Sequence, residues 1–150
     1  MIRQLCDLHN ALIRFRVQMR FGRLSRAPLR LLRLEWSGGR IECDWVAREH
    51  DEWDADLRRP LSEANASLQA LEDAMLVREL LFYTFPDLSS GTLRVYRQFG
   101  EESAELIIAG TVSKPEPSRW TVRSLAMQAK LCGFHFSLDN GKLNPIQVEQ

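Results

Sequence analysis

The sequence predicts an α+β fold: one mainly antiparallel sheet with two helices packed on one of its faces. Two observations lead there. Stretches with apolar residues three and four apart are segregated from stretches with two-residue alternation. The alternating stretches arrive mostly in pairs joined by short turns, as hairpins do.

The longest helix is expected at Leu61–Phe85. Leu61, Ala64, Leu68, Leu71 and Met75 fall on one side, and Ala74, Val77 and Leu81 open a second row beside it. Leu80, Phe82 and Phe85 widen the stripe, so the C-terminal end should be the more deeply buried. Glu63, Glu72, Asp73, Arg78 and Glu79 are assigned to the wet side. Pro60 suits the first turn, where its missing N–H would have had no partner. Pro86 ends the helix by disfavouring a helical Phe85 and removing a donor.

Thr92–Phe99 and Glu105–Val112 follow as a strand pair across a polar loop. Leu106, Ile107, Ile108 and Ala109 are consecutive, which fits a central strand or one covered on both faces. Gly110 inside that run has two readings: a bulge or bend, or close approach of another backbone or ligand. A second helix is expected at Arg119–Cys132, with Val122, Leu125, Ala126, Ala129 and Cys132 on its buried face. Phe134–Leu138 and Lys142–Val148 flank Asp139-Asn140-Gly141, a type I′ turn signal, and Pro145 restricts the last strand to an edge.

Upstream, Leu29–Trp36 and Arg40–Arg48 form the clearest hairpin. Leu32, Leu34 and Trp36 alternate with Arg33 and Glu35; Ile41, Cys43 and Trp45 alternate with Glu42 and Asp44. Ser37-Gly38-Gly39 supplies the positive φ of a tight loop. The wet face should pair Arg33 and Arg40 with Glu35, Glu42 or Asp44. Next, His50–Asp56 reads His-Asp-Glu-Trp-Asp-Ala-Asp. Its residue types could ligate a divalent ion, but it lacks the central glycine and terminal glutamate of an EF-hand loop. It is read as a solvated acidic connector, and neither metal nor cofactor is expected.

Met1–Arg26 is expected to be a basic amphipathic helix, and residues 28–150 one α+β domain made of the 28–48 hairpin and an αββαβ-like unit over 61–143. Three roles compete for the N-terminal helix. It packs on its own domain, it drives self-association, or it is a basic arm for anionic lipid or nucleic acid. The candidate interaction surface is Leu5, Leu8, Leu12, Phe15, Arg16, Met19, Arg20 and Arg23. On the association reading, a chain starting at Pro28 stays folded and loses its oligomer.

The 150 residues suffice for one domain with a real core, and an apolar fraction of 45% with 27% charged residues is that of an ordinary soluble protein. Net charge is zero, which argues against a generally nucleic-acid-binding surface. Charge is nevertheless polarised. Residues 1–33 hold eight arginines against one aspartate, and residues 35–57 hold eight acids against two arginines. The preference for arginine over lysine fits a GC-rich genome. Cys6, Cys43 and Cys132 are odd in number and widely spaced, so a reducing cytoplasm is the simplest home. No apolar run is long enough to span a membrane, and no signal-peptide pattern opens the chain.

Leu106-x-Ile108-x-Gly110-x-Val112, then a helix, then Gly133-Phe134, resembles the bacterial BON-domain family over roughly residues 68–143. The similarity lies in the α-β-β-α-β order, a V-x-L-x-G-x-V strand and a Gly-Val step after the second helix. The 28–48 hairpin has no counterpart in that family. The resemblance implies a non-catalytic module that binds phospholipid or neighbouring proteins, and it carries over no catalytic residues. Two functional classes therefore stand. One is a non-catalytic interaction module, self-associating or bound to a protein partner. The other is a small enzyme with a site around Cys43, Cys132 and His135, or around His50.

Overall fold

A computed structural model describes residues 10–15, 30–47, 59–99, 103–114 and 124–147. Residues 10–15 are the described part of helix α1. In order follow β1 (Arg30–Ser37), β2 (Arg40–Val46), α2 (Arg59–Thr84), β3 (Ser90–Phe99), β4 (Ser103–Ser113), α3 (Leu125–Leu131), β5 (Phe134–His135), β6 (Ser137–Asp139) and β7 (Lys142–Asn144). The main sheet runs β1-β2-β3-β4-β5, and β6 pairs with β7 in a separate ribbon. Pairing is antiparallel except between β2 and β3, which are parallel. The fold is therefore α+β with a mainly antiparallel sheet.

The turns do what their glycines allow. Gly38 and Gly39 both have positive φ and close the β1–β2 hairpin where Ser37 faces Arg40. Asn140 and Gly141, with φ of 52° and 82°, close β6–β7 in the same way. The hairpin at 30–46 is not an appendage to the later unit. The free edge of β2 pairs with β3 from Arg40↔Ser90 to Val46↔Tyr96. A parallel pair needs a long crossover, and α2 supplies it.

The core lies between the helices and one row of sheet residues. Ile41, Cys43, Trp45, Leu93, Val95, Ile108 and Val112 meet Leu71, Ala74, Val77 and Leu81 there. The Trp45 indole N–H is enclosed and, among the described residues, has no hydrogen-bond partner. An unmade bond of that kind costs about 1–3 kcal/mol, which the packing must offset. Leu81 lies over Gly91, whose missing Cβ would sit 2.5 Å from a Leu81 methyl. The small residues Ala70 and Ala74 are also buried, so the helix approaches the sheet closely.

This docking covers most of the expected stripe on α2 but not all of it. Leu61 and Leu68 are 57% and 48% exposed, whereas the row through Ala74, Val77 and Leu81 is enclosed. Asp73 and Arg78, assigned to the wet side, are buried. Arg78 Nε donates to the Ser113 carbonyl at 3.1 Å, and Gln69 donates to Asp73 at 3.0 Å. Each buried polar group is thus bonded, which is what makes its burial tolerable. The C-terminal half is the more deeply buried, as the widening stripe implied, with Leu81, Phe82 and Phe85 all enclosed. Leu71→Ala should cost about 2–5 kcal/mol and Leu68→Ala less than about 0.5 kcal/mol in urea unfolding. Equal losses would show that the face is wrongly assigned.

Three other expectations change. Helix α3 starts at Leu125, not Arg119, because Ser124 is extended and caps it, its hydroxyl accepting from the Met127 N–H at 3.4 Å. The stretch Phe134–Leu138 is not one strand. His135 ends β5, Phe136 turns inward under Lys130, and Ser137 starts the ribbon. The last strand ends at Asn144, before Pro145. The ribbon is pinned by the Leu143 N–H, which donates to Ser67 Oγ at 2.9 Å. Its carbonyl accepts from Arg97 at 2.7 Å. Ile146 then returns to the sheet, donating to the Leu106 carbonyl at 2.8 Å.

Gly110 resolves to the second of its two readings. A Cβ there would lie 2.3 Å from the Gly133 carbonyl oxygen and 2.9 Å from the Phe134 Cα. The bulge in β4 is elsewhere: the register steps from Val95↔Ile108 to Tyr96↔Leu106 and skips Ile107. Residues 107–110 are all buried, as befits a strand between two neighbours.

Candidate interaction surface

Side chains that alternate out of the core form the opposite face of the sheet. Register links them in two rows. One runs Arg33, Asp44, Arg94, Ala109, His135, and the next runs Glu35, Glu42, Thr92, Thr111. Charges interlock diagonally. Arg33 contacts Glu35 at 2.6 Å and Glu42 at 2.8 Å. Arg94 contacts Asp44 at 3.2 Å and Glu42 at 3.5 Å. Thr92 and Thr111 share a hydrogen bond at 3.2 Å.

The ladder is graded. Asp44 and Arg94 near the sheet centre are 10% and 21% exposed, whereas Arg33 and Glu35 on β1 are 42% and 59% exposed. The surface therefore opens toward β1. The hydrogen bond from Arg33 holds the Glu35 carboxyl below its usual value, and the same bond raises the Arg33 guanidinium. Burial, and after it the Asp44 charge, pushes the Tyr96 phenol up. Exposed pairs of this kind add little stability to the fold.

The arrangement combines both signs on one face of the sheet. Arg33 and Arg40 were expected to pair with Glu35, Glu42 or Asp44; Arg33 takes Glu35 and Glu42, whereas Asp44 takes Arg94. Arg94 was missed as a member, because a residue 50 positions from Asp44 becomes its neighbour only through the parallel β2–β3 pairing. The signal available was its phase: Leu93 and Val95 point inward, so Arg94 and Tyr96 point outward.

The residues singled out in the sequence are dispersed. Phe15 is fully buried and Leu12 packs partly on the same core. The Phe15 ring lies 5.9 Å from Phe85, which in turn lies 5.5 Å from Trp36. Phe15 thus belongs to its own domain's core, and Leu12 packs partly against it. Leu5, Leu8, Arg16, Met19, Arg20 and Arg23 lie outside the described residues, as do Cys6 and the His50–Asp56 connector. Cys43 and His135 cannot act together. Cys43 aligns through Leu93 and Gly110 with Phe134, so His135 faces the other side of the sheet, three strands away. At roughly 4.8 Å per strand the separation is about 14 Å, far beyond hydrogen-bond reach. Cys132 caps the C-terminus of α3 and is half-buried. Among the described residues no cluster of three or more His, Cys, Asp or Glu could hold a metal, and no helix is long and apolar enough to cross a membrane.

The chain matches no protein-family model, no curated protein and no solved structure.

Proposed function

We propose that the chain is a non-catalytic interaction module of the bacterial cytoplasm that assembles with copies of itself. One observation carries the reading. The sheet face opposite the main core presents an interlocked two-sign ladder that grows more exposed toward β1, where no described strand lies beyond it. Such a surface offers orientation and backbone pairing to a protein partner. It suits polyanions poorly, because Glu35, Glu42 and Asp44 balance the charge of Arg33 and Arg94 on the same face. Two further points support the reading. The order α2-β3-β4-α3-β5 is that of the BON-like pattern noted in the sequence, and that family's modules are non-catalytic. Among the described residues no disulfide is formed, which suits a reducing compartment.

Light scattering at low and high salt tests it. A mass above that of the 17.3 kDa monomer is expected at low salt, with partial dissociation at high salt. The charges at the rim are screened over roughly 3 Å at 1 M salt. A monomer at every concentration and both salt levels would overturn the proposal.

A further inference from the structure

We infer that β1 is the seam of this assembly: it pairs antiparallel with β1 of a second copy, about a two-fold axis through Leu34. The inference rests on the self-associating reading and names its contact. β1 is an edge strand, with β2 on one side and no described strand on the other. Among the described residues no strand pairs with its outer backbone groups, and such a row is a template for another strand.

The sequence Arg30-Leu31-Leu32-Arg33-Leu34-Glu35-Trp36-Ser37 is self-complementary. A two-fold axis normal to the sheet keeps inward residues inward, so it must pass through a residue. Through Leu34 it sets Arg33 against Glu35 of the copy and Glu35 against Arg33 of the copy, and both pairs lie on the open face. Through Arg33 or Glu35 it would set like charges directly opposite each other, which is unfavourable. Pairing of this isologous kind closes at two copies and leaves no growing end.

Two features of the edge strand fit this pairing. Glu35 lies directly opposite Glu42 across the β1–β2 pair, a like-charge juxtaposition that Arg33 bridges. In the dimer Glu35 gains a second, opposed arginine. Leu32 is 48% exposed at the one bulge of β1. The axis places it opposite the half-buried Trp36 of the copy, which would cover it.

Arg33→Glu alone and Glu35→Arg alone each put like charges at both opposed positions. Mixed together, the two variants are complementary at both. Sedimentation equilibrium should show each variant dimerising at least ten-fold more weakly than wild type, with the equimolar mixture restored to wild-type strength. Glu35→Arg also removes the clash with Glu42, so its melting temperature should hold or rise while its dimer weakens. Leu32→Lys, an edge charge outside the core, should weaken the dimer by a similar factor and provides a readout if Arg33→Glu folds poorly. If wild type dimerises and these variants dimerise equally well, the seam is elsewhere and only the self-association reading survives. If the single variants weaken but the mixture is not restored, the Leu34 register is wrong. A monomeric wild type removes both proposals together.

Discussion

Gly110→Ala is expected to destabilise the protein by about 3 kcal/mol and to break the β4–β5 pairing. The added methyl would sit 2.3 Å from the Gly133 oxygen, 2.9 Å from its carbonyl carbon and 2.9 Å from the Phe134 Cα. All three are backbone atoms, so no side chain can rotate away. Overpacking typically costs about 1–3 kcal/mol, and the upper end applies where neighbours cannot give. The contact is reciprocal: a Cβ on Gly133 would lie 2.7 Å from the Thr111 oxygen, and Gly133 has φ +110°, which side chains rarely adopt. Moving either segment also disturbs the register that joins Ala109 to His135 and Gly110 to Phe134. Urea unfolding gives the stability, and amide exchange at Phe134 and His135 reports the pairing. A variant as stable as wild type, with those amides equally protected, would mean that the two backbones are not in contact.

Phe15→Ala is expected to cost about 3–5 kcal/mol, the range for deleting a buried aromatic side chain. Phe15 is fully enclosed and meets Phe85 in a tilted ring pair at 5.9 Å and 52°. Phe85 meets Trp36 of β1 at 5.5 Å, so removing Phe15 opens a cavity beneath both the end of α2 and the edge strand. Ala11 is enclosed beside it, and Leu12 is partly covered. Ile13 on the same helix is 46% exposed, and Ile13→Ala should cost less than about 0.5 kcal/mol. Thermal and urea melts of the two variants separate the cases, and equal effects would show that α1 does not dock through Phe15. The same packing changes the outcome for a chain starting at Pro28. Such a truncation removes Phe15 altogether and should lose at least as much stability, where the association reading of this helix had left the domain intact.

Local signals in the sequence determined most of the elements, because backbone preference and side-chain periodicity are properties of a few consecutive residues. Pro86 ends α2, the Gly38-Gly39 and Asn140-Gly141 pairs close their hairpins, and the alternation through Ile41, Cys43 and Trp45 gives the inward row of β2. The hairpin members of the charged face, Arg33, Glu35, Glu42 and Asp44, were legible for the same reason. Tertiary structure decided which surfaces these elements lend to one another. By periodicity Leu61 and Leu68 belong to the same widening stripe as Leu71, Val77 and Leu81. The sheet covers the last three, with Leu81 over Gly91, leaves Leu61 and Leu68 exposed and draws Asp73 and Arg78 inside. Parallel pairing of β2 with β3 brought Arg94 to Asp44 across 50 residues of chain. The β4–α3 fold-back set Gly110 against Gly133. Periodicity specifies which side of an element is apolar, whereas contact and coverage depend on neighbours distant in the chain.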